Sequence, residues 1–302
     1  MIVRENIKDF SLQQIFDCGQ CFRWKLQEDG SYIGVAGDRT ADRTARISFL
    51  PTDGEYAGTL VIDNGLPGIN TEKDDREYED FWEPYLDLKR DYGQIKRELA
   101  EDDPVMDQVI AAAPGMRILN QDHWETLISF IISQNNNITR IKGCVENLCR
   151  LFGQPLGVFF GEERYAFPGP EALASLNPED LEPVRLGYRA PYIIDASRAV
   201  MAEGVEKLYG LRGDRGGEGY RYLCALPGVG PKVANCILLF GLQKTCCFPV
   251  DVWVKRVMSE FYGMPEKDLK AIEEFGNRKF GEYSGIAQQY LFYYISRVKN
   301  KK

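Results

Sequence analysis

The stretch Leu226-Pro227-Gly228-Val229-Gly230-Pro231-Lys232 lies between two segments with helical periodicity, and Pro249-Val250-Asp251 follows a short distance downstream. A Gly-Val-Gly turn can present backbone N–H groups at close range, because glycine has no Cβ that would keep a partner away. We therefore expect two helices joined by a tight hairpin. Gly228, Val229 and Gly230 of that hairpin are predicted to contact a phosphate backbone.

Two charged residues near this hairpin suggest chemistry. Lys232 falls in the first turn of the second helix, where the helix dipole opposes its positive charge and favours the neutral, nucleophilic amine. Asp251 falls where a later helix begins, a position that suits an N-cap and an ionised carboxylate. An amine that attacks the C1′ atom of a sugar can release a base and leave a Schiff base, and a nearby negative charge would stabilise the cationic transition state. The pair predicts an enzyme that excises bases from DNA.

The charge distribution is compatible with such a partner. The chain has 302 residues and a net charge of −8, but the segment Glu72–Asp103 holds thirteen acidic and six basic residues and accounts for most of that charge. Residues 226–261 carry a net charge of +2. The overall charge therefore leaves room for a locally basic DNA-binding face, although non-specific binding is expected to be weak.

The cysteines and the apolar runs predict what the protein lacks. Cys18 and Cys21 have C-x-x-C spacing, but no second such pair exists and the single histidine, His123, is remote in sequence. We therefore expect reduced thiols, no metal site and no cofactor. Apolar runs such as Ile237–Phe240 are too short to span a bilayer, and the N-terminus has no apolar signal region. We expect a protein without a membrane partner, located in the bacterial cytoplasm or in the nucleus of a eukaryote.

The order of turn signals and periodic segments predicts the fold class. Turn dipeptides separate short β-prone runs in residues 1–70, and helical periodicity dominates from Phe81 onward. The prediction is an α+β protein with a small N-terminal antiparallel sheet domain at 1–118 and a larger all-helical region at 119–302. The glycine-rich stretch 213–219 is expected to be a loop. The predicted strands are Cys21–Leu26, Ser31–Ala36, Ala45–Leu50 and Thr59–Ile62, and later helices are predicted at 171–176, 191–202, 218–226, 231–241, 251–262, 267–281 and 284–298.

Four further motifs accompany the hairpin, in order along the chain. They are Cys18-Gly19-Gln20-Cys21-Phe22-Arg23-Trp24, Ser133-Gln134-Asn135-Asn136-Asn137-Ile138-Thr139-Arg140-Ile141, Leu186-Gly187-Tyr188-Arg189-Ala190 and Ala287-Gln288-Gln289-Tyr290-Leu291-Phe292. With these motifs the chain resembles the 8-oxoguanine DNA glycosylase family within the helix-hairpin-helix glycosylase/lyase superfamily. The hairpin by itself would indicate only the superfamily, whereas the set of motifs covers nearly the whole chain.

The resemblance implies a role for each matched residue in the lesion pocket. Lys232 would be the nucleophile and Asp251 its electrostatic partner. The Gly19 carbonyl would accept the N7–H of 8-oxoguanine, a proton that guanine lacks, so a guanine in the pocket would leave this carbonyl unpaired. In addition, Gln288 would read the Watson–Crick edge of the flipped base. Phe292 and Cys236 would line the two faces of that base.

The resemblance also implies residues that handle the opposite strand. Asn135, Arg140 and Arg189 match positions that hold the cytosine left behind after flipping, and arginine donors suit its O2 and N3 acceptors. Tyr188 would wedge into the vacated base stack. The implied partner is double-stranded DNA that contains 8-oxoguanine, bound by a monomer. One departure concerns Trp253, which stands where mammalian members carry histidine.

Other interpretations remain possible at this point. Relatives that excise adenine or oxidised pyrimidines usually carry a C-terminal four-cysteine iron–sulfur site, but no cysteine follows Cys247 here. Relatives that excise alkylated bases generally lack the hairpin lysine. A non-catalytic DNA-binding module would need neither Lys232 nor Asp251. Taken singly, Lys232 would be an ordinary surface lysine, Asp251 a helix cap, and Gln288 and Phe292 helix-packing residues.

Overall fold

A five-stranded antiparallel sheet forms the N-terminal part of the protein, whose computed structural model describes residues 1–214 and 217–299. The spatial order is β1-β5-β4-β3-β2, so β2 to β5 form a meander and β1 adds to its far edge. The alternating burial of β5 shows that one face of the sheet is packed and the other is more open. The strands are β1 (Ile2–Lys8), β2 (Trp24–Leu26), β3 (Tyr32–Gly37), β4 (Asp42–Pro51) and β5 (Ala57–Asp63).

Helices make up most of the chain after the sheet. Shorter 3₁₀ segments join several of them, and a wider π-type turn, Tyr294–Val298, extends the last helix. Two residues of the loop predicted at 213–219 lie outside the described ranges. The helices are α1 (Leu12–Phe16), α2 (Glu72–Glu77), α3 (Glu83–Tyr85), α4 (Tyr92–Ala100), α5 (Pro104–Ala111), α6 (His123–Ser133), α7 (Ile138–Phe152), α8 (Pro170–Ala174), α9 (Ala190–Glu203), α10 (Val205–Gly210), α11 (Glu218–Ala225), α12 (Pro231–Phe240), α13 (Val252–Tyr262), α14 (Leu269–Phe280) and α15 (Ser284–Tyr293).

The predicted α+β class is confirmed, with two differences in detail. Strand β1 was not predicted, because its apolar alternation is broken by a register shift between Arg4 and Ile7, where Asn6 adopts a positive φ of 61°. A two-stranded hairpin, β6 (Pro155–Phe159) and β7 (Glu162–Tyr165), lies inside the region predicted to be all-helical. That hairpin is mostly exposed and therefore lacks the alternating pattern of a half-buried strand.

Two hydrophobic cores lie within the molecule, one at the sheet and one among the helices. An aromatic cluster that includes Trp24, Trp82 and Tyr85 packs under the sheet, and a larger cluster fills the helical region. Helices α4 and α5 belong to the larger cluster through buried residues such as Tyr92 and Met106. The domain boundary at 118/119 stays a prediction.

A buried ion-pair cluster joins the two parts. The Arg23 side chain, only 3% exposed, places Nη1 3.3 Å from Oε2 of Glu125 on α6 and 3.5 Å from Oδ1 of Asp42 on β4. Burial raises the pKa of Glu125 to about 7, and the Arg23 charge opposes that rise. Arg23 therefore acts within this motif as a link between sheet and helices, and its neighbour Trp24 donates to the Tyr85 hydroxyl at 2.8 Å.

Candidate active site

Lys232 lies in the first turn of α12, as the sequence predicts. Pro231 occupies the first helical position, where its missing N–H leaves no gap in the hydrogen-bond ladder. The half-buried Lys232 side chain reaches over the ring of Phe130, with Nζ 5.5 Å from the ring centroid. It also lies beside the thiol of Cys236, one turn further along α12, where its charge acts on that thiol. The amine is thus held at the edge of the apolar interior and not in open solvent.

Asp251 caps α13 and faces the same space. Its Oδ1 accepts hydrogen bonds from the backbone N–H groups of Trp253 at 2.9 Å and Val254 at 2.8 Å. Burial raises the pKa of Asp251 above its ordinary value, while the cap hydrogen bonds and the Lys232 charge oppose that rise. The cap hydrogen bonds favour the ionised form, as expected for a helix start, but burial outweighs them, and a helix-start pattern carries no information on burial.

Six residues of the predicted lesion pocket line one cavity. This cavity has a volume of about 60 Å³, and it opens into a surface groove of about 830 Å³ that shares Gly19, Phe130 and Lys232 with it. Its small volume means that a base can enter only if the walls move apart. The cavity is lined by Cys18, Gly19, Phe130, Lys232, Cys236, Phe240, Pro249, Asp251, Gln288, Gln289 and Phe292.

Gln288 has a buried polar atom without a partner. The residue is 4% exposed, and its Oε1 has no hydrogen bond to any residue in the described part of the chain. An unpaired amide oxygen in a protein interior costs about 1–3 kcal/mol, so such atoms are rare unless a ligand satisfies them. The Gln288 amide is thus poised to accept a hydrogen bond from a molecule in the cavity.

The apolar walls of the cavity come from Gly19, Phe292 and Cys236. Gly19 adopts a φ of +84°, and a Cβ placed there would lie 3.3 Å from Cδ1 of Ile138 and 3.7 Å from Cε1 of Phe292. Burial raises the pKa of the Cys236 thiol, and the Lys232 charge opposes the rise. Cys236 therefore presents a neutral, polarisable wall to the cavity.

The hairpin combines one constrained glycine with one unconstrained glycine. Gly228 has a φ of +78°, and a Cβ there would approach Cβ of Tyr192 to 2.6 Å, so the fold itself requires glycine. Gly230 has an ordinary φ of −92°, and a Cβ there would meet nothing within 4 Å. Gly230 precedes α12, which has no side-chain cap. A helix start of this kind suits an anion, and only a closely approaching partner would require glycine at position 230.

The predicted opposite-base residues gather around one backbone segment. Asn135 is exposed with a φ of +48°, and Arg140 is exposed and donates to the Arg185 carbonyl at 3.3 Å. Tyr188 is 54% exposed, and its hydroxyl donates to the Gln134 carbonyl at 3.3 Å. Three exposed side chains and the buried Arg189 beside them form what we call the wedge patch, defined as Asn135, Arg140, Tyr188 and Arg189.

The guanidinium donors of Arg189 are already occupied by backbone carbonyls, whereas a residue that holds cytosine would need them to be available. Arg189 is 3% exposed, and its guanidinium donates to the Gln134 carbonyl from Nε at 2.9 Å and to the Asn135 carbonyl from Nη2 at 3.0 Å. It also lies 4.4 Å from the Tyr188 ring centroid. The turn between α6 and α7 leaves these carbonyls without helical partners, so they take the donors that a base would need.

Gln134 and Trp253 gain roles that nothing in the sequence indicates. The Gln134 side chain donates to the Gly228 carbonyl at 2.8 Å, which ties the triple-asparagine segment to the hairpin. Trp253 lines the groove beside Lys232 and Asp251. Phe130 is a further wall of the cavity, and its place on the apolar face of α6 gave no signal that would separate it from the core.

The C-x-x-C pair consists of separate buried thiols. Burial raises the pKa of Cys18 to about 11, and its Sγ donates to the Ile15 carbonyl at 3.1 Å. Among residues 1–214 and 217–299, no three His, Cys, Asp or Glu side chains are grouped to hold a metal ion. Within the same ranges, no helix has the length and apolar character needed to cross a bilayer.

Family models match the chain over two adjoining ranges. The model described as 8-oxoguanine DNA glycosylase, N-terminal domain, matches residues 2–127, and the model described as HhH-GPD superfamily base excision DNA repair protein matches residues 128–281. The chain belongs to the 8-oxoguanine DNA glycosylase family. The family and the enzyme class predicted from the sequence, a base excision repair N-glycosylase/DNA lyase, are therefore confirmed.

Individual relatives agree with this assignment. The Arabidopsis thaliana N-glycosylase/DNA lyase OGG1 is 31% identical over 94% of this chain and 77% of its own length. A probable N-glycosylase/DNA lyase of Methanothermobacter thermautotrophicus is 34% identical over 70% of this chain and 73% of its own length. The crystal structure of Clostridium acetobutylicum 8-oxoguanine glycosylase/lyase, in complex with dsDNA containing cytosine opposite to 8-oxoG, is 40% identical with a TM-score of 0.86 and covers 99% of this chain and 95% of that chain.

Proposed function

We propose that this glycosylase/lyase flips 8-oxoguanine out of duplex DNA opposite cytosine, excises it through Lys232 and then cleaves the strand. The observation that carries the proposal is the convergence of Lys232, Asp251 and the unpaired Gln288 oxygen on one cavity that opens into a groove. A nucleophile, an anion and a base-reading group are the three functions that base excision requires.

Lys232 would carry both chemical steps. Its neutral amine forms a bond to C1′ while the N-glycosidic bond breaks, and the base leaves with the bonding electrons and takes up the proton that the nitrogen loses. The nitrogen lone pair then opens the sugar: the C1′–O4′ bond breaks, O4′ takes up a proton, and a Schiff base remains. Loss of a proton from C2′ expels the 3′ phosphate, which cleaves the strand by β-elimination.

Asp251 would stabilise the positive charge that develops on the sugar. A carboxylate held by two backbone N–H groups is fixed in direction, and its burial strengthens its interaction with a nearby cation. The same burial makes the ionised form costly. Asp251 therefore combines a cap with a functional charge, and the second role explains why a buried carboxylate is kept there.

Lesion choice would depend on Gly19, Gln288 and Phe292. The Gly19 carbonyl would accept the N7–H of 8-oxoguanine, Gln288 would read the Watson–Crick edge, and Phe292 would stack on one face with Cys236 against the other. Guanine presents an N7 acceptor to the same carbonyl. Two acceptors facing each other in a desolvated site cost about 1–3 kcal/mol, which is roughly ten- to hundredfold in selectivity.

The wedge patch would hold the opposite cytosine, with Asn135, Arg140 and Arg189 as donors and Tyr188 in the vacated stack. For Arg189 this requires exchange of its carbonyl partners for cytosine acceptors. Gly228, Val229 and Gly230 would hold the DNA backbone through N–H groups at the start of α12. Because one chain forms the whole groove, we propose a monomer that acts wherever the DNA lies, in the bacterial cytoplasm or a eukaryotic nucleus.

Single-turnover excision from defined duplexes tests the proposal. We expect rapid release of 8-oxoguanine opposite cytosine, and negligible release of undamaged guanine, adenine or an oxidised pyrimidine from the same position. Strand cleavage should follow without added nuclease. Excision of guanine at a rate comparable to 8-oxoguanine, or a stronger reaction on 3-methyladenine, would contradict the proposed substrate.

A further inference from the structure

Three of the four consecutive backbone carbonyls in the loop Asp17–Gln20 accept a side-chain hydrogen bond. Nη2 of Arg297 donates to the Asp17 carbonyl at 2.7 Å, and Nε2 of Gln289 donates to the Cys18 carbonyl at 3.1 Å. Nε2 of Gln121 donates to the Gln20 carbonyl at 2.7 Å. The Gly19 carbonyl is the one among the four without a hydrogen-bond partner in the described part of the chain.

The donors that hold this loop are themselves firmly placed. Gln289 is 2% exposed and lies on α15, the helix that also carries Gln288 and Phe292. On the other side, the fully buried Gln20 side chain donates to the Ile15 and Arg117 carbonyls, each at 2.9 Å. The loop is thus fixed on both sides, and one helix sets both its position and that of the base-reading residues.

A clamp of this kind is needed because of the glycine. Glycine populates left- and right-handed backbone conformations about equally, so the peptide that follows Gly19 can rotate at little intrinsic cost. In the proposed function this carbonyl faces the base, and rotation would turn it away and present the N–H of Gln20 in its place. The hydrogen bonds to the Asp17, Cys18 and Gln20 carbonyls hold the neighbouring peptides in place and so oppose that rotation.

We propose that Gln289 and Arg297 are positioning residues that aim the Gly19 carbonyl into the pocket and so determine recognition of the 8-oxoguanine N7–H. The inference rests on the proposed function, in which this carbonyl reads the lesion. It assigns to two residues near the C-terminal end of the chain a part in lesion choice that acts through the backbone they hold, although Gln289 also lines the cavity. Gln289, adjacent to the base-reading Gln288, thereby acquires a separate role.

The test compares two reactions of the same enzyme under single-turnover conditions with enzyme in excess. Release of 8-oxoguanine requires the Gly19 carbonyl, whereas cleavage at a preformed abasic site requires Lys232 but has no base to read. For Gln289→Met we expect the ratio of the first rate to the second to fall by about tenfold to hundredfold, since misplacement by about 1 Å can cost about a hundredfold. Arg297→Met should lower the same ratio, and Arg297→Lys, which keeps a donor, should restore part of it.

Tyr290→Phe is the matched control. Tyr290 is adjacent on α15 and fully buried, and its hydroxyl has no hydrogen-bond partner among the described residues, so its removal should leave the ratio unchanged. An unchanged ratio in Gln289→Met and Arg297→Met, or equal loss of both rates, would overturn the inference. If the unaltered enzyme did not release 8-oxoguanine, the proposed function itself would fail, which is a separate outcome. Should Gln289→Met not fold, the Arg297 variants decide.

Discussion

The lesion pocket and the wedge patch are built in opposite ways. In the pocket, Lys232, Asp251 and Gln288 lie on or at the ends of packed helices, and the Gln288 oxygen waits without a partner. In the wedge patch, Arg140 is exposed, while the donors of Arg189 are already engaged by backbone carbonyls. On the proposed function, the reacting groups therefore already lie together in the free protein, although the cavity must widen to admit a base, whereas the donors for the opposite strand must be rearranged by DNA.

This difference has an energetic reason. A catalytic group that is held in place before the substrate arrives gives a faster reaction. No binding energy is then needed to orient that group. A group that enters the DNA stack must be exposed in the free protein, and its donors find temporary partners meanwhile. Variants in the pocket should thus change rate more than stability, and a buried wedge residue should change both.

The largest expected effect comes from Lys232→Gln. Removal of the nucleophile should lower base excision by at least about a thousandfold, while folding and binding of lesion DNA persist. Lys270→Gln is the matched control, because the side chain of that lysine is 87% exposed and forms an ion pair with Glu274 on its own helix. Single-turnover excision and circular dichroism check the two parts. Normal excision by Lys232→Gln would show that Lys232 is not the nucleophile and that the pocket does not hold the reacting groups as described.

Asp251→Asn should separate rate from stability. Asparagine can still accept the cap hydrogen bonds, but it carries no charge, so excision should fall by about a hundredfold or more. The folded-state pKa of Asp251 is raised, so its contribution to stability is complete below the ordinary aspartate pKa and is lost as pH rises through the raised value. Asparagine escapes that loss. The variant should therefore unfold at an equal or higher denaturant concentration than the unaltered enzyme at pH 7.5.

The raised pKa of Asp251 also sets the pH dependence of the unaltered enzyme. Excision should decline on acidification around the raised pKa of Asp251, at a higher pH than an ordinary aspartate would give. Asp251→Ala, which removes the cap as well, should lose about 1 kcal/mol of stability. If Asp251→Asn kept the full rate, only the capping role would remain.

The wedge patch predicts a smaller, selective effect. Excision opposite cytosine should exceed that opposite adenine by at least about tenfold, because adenine leaves an arginine poorly paired. Arg140→Ala should flatten this preference with little change in stability. Arg189→Ala should flatten it too but also destabilise the fold by about 1–3 kcal/mol, since the Asn135 carbonyl loses its donor and the Gln134 carbonyl keeps only the Tyr188 hydroxyl among the donors described above. Rates opposite all four bases, with urea unfolding of both variants, distinguish the two arginines.

The smallest expected change is in the stability of Gln288→Met. Since the buried amide oxygen has no partner in the free protein, a methionine of similar size should leave the free energy of unfolding within about 0.5 kcal/mol or raise it slightly. Lesion selectivity should decline at the same time. A stability loss above about 1 kcal/mol would mean that the Gln288 side chain stabilises the free protein, and that its amide is not kept there to bind a ligand.

Local patterns were enough to predict much of this molecule. Alternation and turn dipeptides located β3, β4 and β5, and the glycine–proline hairpin located α12 with Lys232 in its first turn. These features depend on neighbours in sequence. The bulged strand β1 and the exposed hairpin at 155–165 have no such pattern, and they were missed for that reason.

Long-range contacts explain the rest of what was missed. The hydrogen bonds from Gln289 to Cys18 and from Arg297 to Asp17 join opposite ends of the chain. The burial that raises the pKa of Asp251 is likewise a property of the packed molecule. A motif can name a residue such as Arg189, but only packing shows that its donors are occupied.

Borohydride trapping on a duplex with 8-oxoguanine opposite cytosine, followed by mass mapping of the adduct, tests the central claim most directly. Reduction of the Schiff base converts it to a stable amine bond between enzyme and DNA, and the account predicts one adduct, on Lys232. The groove offers a second amine, Lys142, whose Nζ already donates to the Trp24 carbonyl at 3.0 Å. An adduct on Lys142 or on the N-terminal amine, or excision with no trapped product, would contradict the account.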